Sequence, residues 1–324
     1  MNAFEYASPT STEEAVKLLS KKWDTTAILA GGTDLVTSLK QGLVKPKTVV
    51  SLQNIDALSG ISRSGDTLNI GATTTLAEFI ANDDVQENFP SLVTAVQNIG
   101  AQQIINRGTV GGDLLQRPRC WYYRNGFGLL GQANGKSLAP DGDNRYHAIF
   151  GNKGPAYFVN PSSLAPALIA LGAVIGIQGP RKPREVDAAE FFQTPKSDGD
   201  REYDLEANEI LIGIYIPIRG LKNATYEIRA RQGLDWPMVT ASVALSYADG
   251  KAGDVSIVLG HVAPVPWKAS SAVASLDSAS AVDESAATAA GEAATQGASP
   301  LSRNGYKVHQ VKVAVKRAIM EAIA

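Results

Sequence analysis

The chain has 324 residues, a formal charge of -2 from 30 basic and 32 acidic side chains, and apolar and charged fractions of 44% and 19%. That length outgrows a single core, so two or more folded units are expected; the near-neutral balance excludes the charge footprint of a nucleic-acid or anionic-membrane binder. One cysteine excludes an internal disulfide, and an acidic N-terminal stretch without an apolar signal core points to a cytoplasmic setting.

In chain order, Ser11 and Glu14 have capping-box spacing, and Ala15, Leu18 and Leu19 continue it as a helix over 12–21. "TTAILA" reads as a buried strand, Leu35, Val36 and Leu39 as a helix closed by Gly42, and "KTVVSL" as the next strand. "DTLNIG" alternates as a strand before a helix from Leu76, which Thr73 to Thr75 can cap. A further helix is expected over 91–101. Between Cys120 and Gly151 the chain is rich in Gly, Asn and Asp without periodicity, the signature of a long functional loop.

Beyond it come a strand "AYFVN", a helix "SLAPALIAL", and strands "AVIGI" and "EILIGIYIPI". The apolar run from Leu164 to Ile177 is 14 residues long and holds a proline, short of the roughly 20 that span a bilayer. A polar connector over 219–223 divides the chain, after which "ATYEIRARQ", "MVTASVALSYA" and "AGDVSIVLGHVA" form an antiparallel sheet. The Ala/Ser-rich segment over 268–300 keeps three-to-four spacing at Val273, Leu276, Val282, Ala286 and Ala289, so two short helices are expected there. A long helix closes the chain at "YKVHQVKVAVKRAIMEAIA".

Chemistry concentrates at two turns. "ILAGGTDL" ends a strand in Gly31-Gly32 and opens a helix at Thr33; glycines let an anion approach exposed backbone N-H groups, at the positive end of a helix. "RGTVGGDLLQ" repeats Thr109, Gly111-Gly112 and Asp113 80 residues later. Two such turns facing each other would bind both phosphates of a diphosphate. A plain chain reversal is the alternative for either alone, since neither the dinucleotide nor the P-loop pattern is present. Asp34 would repel an anion, so its carboxylate must point away. His147, His261 and His309 lie in unrelated elements and read as structural, with no metal site. The aromatic and arginine cluster of 117–124 reads as loop anchoring or a subunit contact rather than nucleic-acid stacking. No catalytic acid-base set or Ser-His-Asp arrangement is present.

"AGGTDL", "LNIGATTTLAEF", "NRGTVGGDLLQRPRCWYYR", "DNRYHAIFG", "LAPALIALGA" and "DWPMVTASVAL" through "VLGHVAPVPW" occur in one order along the chain. In that order they resemble the FAD-binding medium subunit of the xanthine dehydrogenase and aldehyde oxidase family, nearest the periplasmic-type aldehyde oxidoreductases. The resemblance implies an α+β fold. A vanillyl-alcohol-oxidase (PCMH) type FAD-binding domain would span 1–218, with subdomains of about 1–55 and 56–218. A smaller CO dehydrogenase flavoprotein-like C-terminal domain with an antiparallel sheet would span 221–324.

It further implies an FAD diphosphate held by Ile28, Leu29, Ala30, Gly31, Gly32, Thr33, Asp34 and Leu35 and by Thr109, Gly111, Gly112 and Asp113. Ser162 and Ser163 would lie at the adenosine end, Ser163 standing where the family usually has Asp. Ile210, Leu211 and Ile212 would lie near the flavin ring, and Arg229 or Arg231 near its N1 and O2 edge.

The implied partners are a molybdopterin-binding large subunit, a small subunit with 2Fe-2S clusters, and an external electron acceptor; the complex would oxidise an aldehyde or N-heterocycle. Nearest relatives hold a four-iron cluster on four cysteines in the loop after "QRPRCWYYR"; with Cys120 alone, this chain cannot form a 4Fe-4S cluster. A stand-alone FAD oxidoreductase of the same fold and a non-catalytic scaffold are the alternative readings. Co-export with a signal-bearing partner would place the chain in the periplasm.

Overall fold

A computed structural model describes residues 1–231 and 233–324. The first unit runs β1 (Glu5–Ala7), α1 (Thr12–Leu18), β2 (Thr26–Leu29), α2 (Leu35–Gln41) and β3 (Thr48–Ser51), and its sheet is parallel in the order β1-β3-β2. Ser11 caps α1 by accepting the Glu14 N-H at 3.2 Å. Gly42, at φ +70°, closes α2 in the left-handed conformation that favours glycine. β2 therefore delivers the chain to Gly31 at the end of a strand that is half-buried rather than buried as expected, and α2 carries it away.

The second unit contains β4 (Ile61–Ser64), β5 (Thr67–Gly71) and five helices: α3 (Leu76–Ala81), α4 (Asp83–Asn88), α5 (Pro90–Gln97), α6 (Gln102–Arg107) and α7 (Val110–Leu115). Thr75 and Glu78 form a full capping box at the start of α3. The loop over 120–151 holds only α8 (Trp121–Arg124) and a two-residue hairpin, β6 (Gln132–Ala133) with β7 (Lys136–Ser137). Then come α9 (Ala165–Ala170), β8 (Val174–Gln178), β9 (Arg184–Asp187), α10 (Ala188–Phe191) and β10 (Ile210–Pro217).

The five strands form an antiparallel sheet ordered β4-β5-β10-β8-β9. Leu68, Phe79, Leu92, Ile175 and Ile214 are fully withdrawn from solvent in its core. At some 25 cal/mol per Å², such side chains contribute about 1.5–3 kcal/mol each.

Two expectations fail here. The helix anticipated over 91–101 is broken: α5 ends at Gln97, Gly100 takes φ +73°, and α6 starts afresh at Gln102. "AYFVN" is not a strand: Tyr157 accepts the Ala148 N-H and Asn160 donates to Ala263 O, single bonds rather than a ladder. Phe158 is buried there with Leu129 and Leu130 against the long loop.

The third unit is a sheet of β11 (Lys222–Ile228), β12 (Val239–Ala248), β13 (Lys251–Gly260) and β14 (Trp267–Lys268), all antiparallel, under α11 (Ser270–Asp277), α12 (Glu284–Ala293) and α13 (Tyr306–Ile323). The strand expected to reach Gln232 ends at Ile228, and Gln232 lies outside the described residues. The Ala/Ser segment folds as two helices because small residues let backbones close in: a Cβ on Gly291 would stand 2.5 Å from Lys312 O of α13. Ala287 and Ala290 are fully buried beside it. Val311, Ala314, Val315, Ala318, Ile319 and Ala322 make the buried stripe of α13.

Asn223 joins this unit to the second, accepting the Ser91 N-H at 3.0 Å and donating to Asn88 O at 2.9 Å. The chain is thus an α+β protein with three main sheets and one two-stranded hairpin among the described residues. Among the described residues no helix is long and apolar enough to cross a membrane.

Candidate functional site

The two glycine turns meet. A Cβ built on Gly31 would lie 1.8 Å from Arg107 O and 3.1 Å from Gly108 Cα, so only glycine lets the end of β2 press against the chain entering α7. Gly32 takes φ +79° to redirect the backbone into α2. A larger cavity of about 510 Å³ and a smaller one of about 230 Å³ open on either side of this contact. Both are lined by Thr33, Asp34, Thr109, Gly112 and Gln116, which form a waist between them.

The turns are not equivalent. Among the described residues, no protein acceptor takes the N-H of Gly31, Gly32, Thr33 or Asp34, and Thr33 is exposed with no hydrogen bond from its hydroxyl. The second turn is closed on itself and its neighbours. Val110 N-H donates to Thr74 O at 3.0 Å, Gly111 N-H to Ala72 O at 2.9 Å, Gly112 N-H to Thr109 Oγ1 at 3.1 Å and Asp113 N-H to Thr109 O at 2.9 Å.

Gly111 is glycine for packing, since a Cβ there would stand 2.9 Å from Ala72 O. The expectation of two matching N-H clamps is corrected accordingly. The first turn is an open nest, and the second offers a smooth wall and the Thr109 hydroxyl.

Asp34 caps nothing; it is committed to arginines. Its Oδ1 lies 2.8 Å from Arg119 and 3.0 Å from Arg124, while Oδ2 accepts the Arg117 N-H at 2.9 Å. Burial alone would raise its pKa, but these partners outweigh it and hold the carboxyl below the usual range. Two guanidiniums against this one carboxylate offset its charge, which answers the objection that Asp34 would repel an anion. Arg124 also bonds Ser38 Oγ and Pro118 O, so the cluster anchors the 117–124 segment to α2.

Asp113 is buried beneath the smaller cavity. Its carboxylate accepts from Ser162 Oγ at 2.5 Å, Leu164 N at 3.0 Å, Ser163 N at 3.3 Å and Gln116 Nε2 at 2.9 Å. Burial raises its pKa, with the Ser162 hydroxyl bond the largest opposing effect. Ser162 is thereby spent on structure, whereas Ser163 lines the smaller cavity.

The residues expected around the flavin ring separate. Ile210 and Leu211 line the larger cavity with Ile28, Ala30, Gly111 and Leu35, while Arg229 lines the smaller one with Ser163. Leu29, Ser162, Ile212 and Arg231 line neither. Ile212 instead gives its carbonyl to Ala72 N-H at 3.1 Å. Arg229 is paired at 2.5 Å with Glu227, whose side chain is 1% exposed and whose pKa burial raises; the Arg231 side chain is 80% exposed.

Other groups at the site went unread in the sequence. The larger cavity is walled by Trp23 and Tyr203, with ring centroids 6.3 Å apart, and by Arg117 and Arg201. Arg117 is bound to buried Glu202 at 3.0 Å; burial opposes its charge, but Glu202 holds its pKa above the usual range. The guanidinium of Arg119 stacks 4.7 Å over Trp236 at the smaller cavity.

In the long loop, Cys120 Sγ sits 3.2 Å from His147 Nε2, and burial raises the thiol's pKa. Among the described residues no cluster of three or more His, Cys, Asp or Glu is arranged to hold a metal. Lys307 Nζ, fully buried, donates to His261 O at 2.8 Å and Tyr146 O at 3.2 Å, pinning the loop to the third unit.

Residues 2–219 match the family model of the FAD binding domain in molybdopterin dehydrogenase, and residues 224–322 that of the CO dehydrogenase flavoprotein C-terminal domain. The chain is 29% identical to the carbon monoxide dehydrogenase medium chain of Hydrogenophaga pseudoflava over 81% of its own length and 75% of that chain. It is 26% identical to the aldehyde oxidoreductase FAD-binding subunit of Escherichia coli over 100% of its length and 99% of the relative's. The crystal structure of quinoline 2-oxidoreductase from Pseudomonas putida 86 contains a chain similar at a TM-score of 0.76 and 28% identity, with coverage of 99% and 97%.

Proposed function

The chain belongs to the FAD-binding subunits of the molybdenum hydroxylases, and from that premise we propose how it holds its cofactor. The FAD diphosphate crosses the waist, taking the open N-H groups of Gly31 to Asp34 and the hydroxyls of Thr33 and Thr109. One ring-bearing half of the cofactor occupies the larger cavity and the other the smaller. One observation carries this reading: among the described residues, four consecutive N-H groups without a protein acceptor lie where two cavities of unequal size meet, beside a carboxylate held by two arginines. A dinucleotide has that shape, two unequal ring systems joined through an anion.

The larger cavity offers Trp23 and Tyr203 as aromatic walls for a ring system, with Ile210 and Leu211 beside them. Burial pushes the Tyr203 pKa up to about 12, so it stays a neutral phenol there. The smaller cavity offers Ser163 for sugar hydroxyls.

When bound, FAD supplies the redox chemistry, taking up electrons and passing them on. The chain's own residues bind it, orient it and set its electrostatics; no side chain at the site is arranged as a general acid-base pair. As the medium subunit, the chain receives electrons from 2Fe-2S clusters on a small subunit. These originate at a molybdopterin-binding large subunit, and an external acceptor removes them. Relatives named for aldehyde and quinoline oxidation support an aldehyde or N-heterocycle as the substrate class of the complex.

Titrating the purified chain with FAD, and competing with ADP, tests this. A chain that takes up one FAD, displaced by ADP, supports the reading; a folded chain that stays colourless contradicts it.

A further inference from the structure

The two cavities differ in what reaches them. Leu234, 74% exposed, and Trp236, 45% exposed, bring the third unit to the mouth of the smaller cavity. Among the described residues, none of the third unit lines the larger cavity. A ring that exchanges electrons with other molecules needs such an open mouth, whereas adenine takes no part in the redox chemistry. The larger cavity therefore falls to the adenosine half.

Among the described residues, Lys45, Arg117 and Arg201 are the cations on its wall. Lys45 is exposed, and Arg117 is neutralised by Glu202 at 3.0 Å. Arg201 is different, since among the described residues no carboxylate lies within ion-pair distance of it. Its guanidinium is held 4.5 Å over the Trp23 ring, with one nitrogen donating to Asp200 O at 2.9 Å. Tyr203 meets Trp23 edge-on, with 74° between the ring planes. Burial and the nearby Arg117 charge hold the Arg201 pKa below the usual arginine range, so the cation gains from any electron-rich group placed beside it. A purine is such a group: it offers a π face to a cation and ring nitrogens that accept hydrogen bonds, and arginine carries donors only.

We propose that Arg201, braced by Trp23, recognises the adenine base of the cofactor, its guanidinium lying against the electron-rich ring. This rests on the reading that FAD spans both cavities. Trp23 acts as a positioning residue, since it holds the guanidinium without needing to touch the base. The pair thereby selects the dinucleotide over a mononucleotide that ends at the first phosphate.

The full chain is prepared as wild type, Arg201→Gln, Arg201→Lys, Trp23→Ala and Arg231→Gln, and its affinities for FAD, ADP, FMN and pyrophosphate are read by titration calorimetry, with melting temperatures alongside. Arg201→Gln and Trp23→Ala are expected to weaken ADP and FAD alike by about tenfold, while FMN and pyrophosphate bind as to the wild type. Arg201→Lys keeps the charge without the planar face and recovers part of the loss, and Arg231→Gln stays at the wild-type value. An ADP affinity in Arg201→Gln equal to that of Arg231→Gln overturns the role of Arg201 while leaving FAD binding intact. Pyrophosphate affinity falling as far as that of ADP overturns it too, by assigning Arg201 to the phosphates. A loss for FMN and FAD with ADP unmoved overturns it by putting the isoalloxazine in the larger cavity. A wild-type chain that takes up no FAD overturns the cofactor reading itself.

Discussion

The carboxylate of Asp34 lies 2.8 Å from the guanidinium of Arg119, joining the first glycine turn to a segment 85 residues further along the chain. With Arg124 on the same oxygen and the Arg117 N-H on the other, an acid that would repel a diphosphate becomes the anchor of an arginine cluster. Asp34→Asn should leave two partly buried guanidiniums without a counter-charge and cost about 2–3 kcal/mol, toward the low end for a broken buried pair. Urea denaturation reads the loss. Limited proteolysis should show the loop over 120–151 cut faster, whereas unchanged stability and cleavage would mean the cluster is a passive surface contact.

Asp113 makes a parallel prediction at the smaller cavity. Three of its four accepted hydrogen bonds hold the 162–164 segment at the head of α9, and the fourth comes from Gln116. Asp113→Asn turns an amide donor toward groups that already donate, a loss of about 2–4 kcal/mol by the usual cost of unpaired buried polar groups. FAD affinity should fall with it, because Ser163 moves at the smaller cavity. Titration of the variant with FAD checks this, and wild-type affinity would dissociate Ser163 from the cofactor.

A pH dependence follows from three buried bases. Burial lowers the pKa of His147 to about 4, of His261 to about 3 and of Lys307 to about 7. As pH falls from about 6.5 toward 4, the unfolded chain takes up protons on both histidines that the folded chain refuses, so stability falls with pH. Between pH 7 and 9 the unfolded chain still holds the Lys307 proton and the folded chain releases it, so stability rises by about 2 kcal/mol. Urea midpoints at pH 5, 7 and 9 should climb in that order. Lys307→Met should flatten the upper interval; the same slope in that variant would assign the rise to another group.

Much of this architecture is legible in the sequence because it rests on local signals. The glycine pair after β2, the Ser11 and Glu14 spacing that caps α1, and the spacing of Val311 through Ala322 each announce their element. What is not legible depends on distant partners. The second turn is closed by Thr74 and Ala72, which approach only when α7 packs against the end of β5, so its N-H groups looked as free as those of Gly31. Arg229 and Arg231 are alike in sequence and are separated only by Glu227, whose side chain is buried. Arg201 sits in a polar stretch whose neighbours gave no hint of Trp23, 178 residues earlier. β4 and β9 escaped notice because "ISRS" and "REVD" are edge strands with little apolar alternation.

The central claim, that the open nest at Gly31 to Asp34 holds the FAD diphosphate, is tested most directly by FAD titration of the wild type and Thr33→Val. The Thr33 side chain is exposed and makes no hydrogen bond among the described residues, so this isosteric change should leave the melting temperature unaltered. Losing a hydroxyl that donates to a charged oxygen should weaken FAD and ADP together by about tenfold, or 1.4 kcal/mol. Equal affinities for wild type and Thr33→Val, in chains of equal stability, would contradict the placement of the diphosphate at this turn.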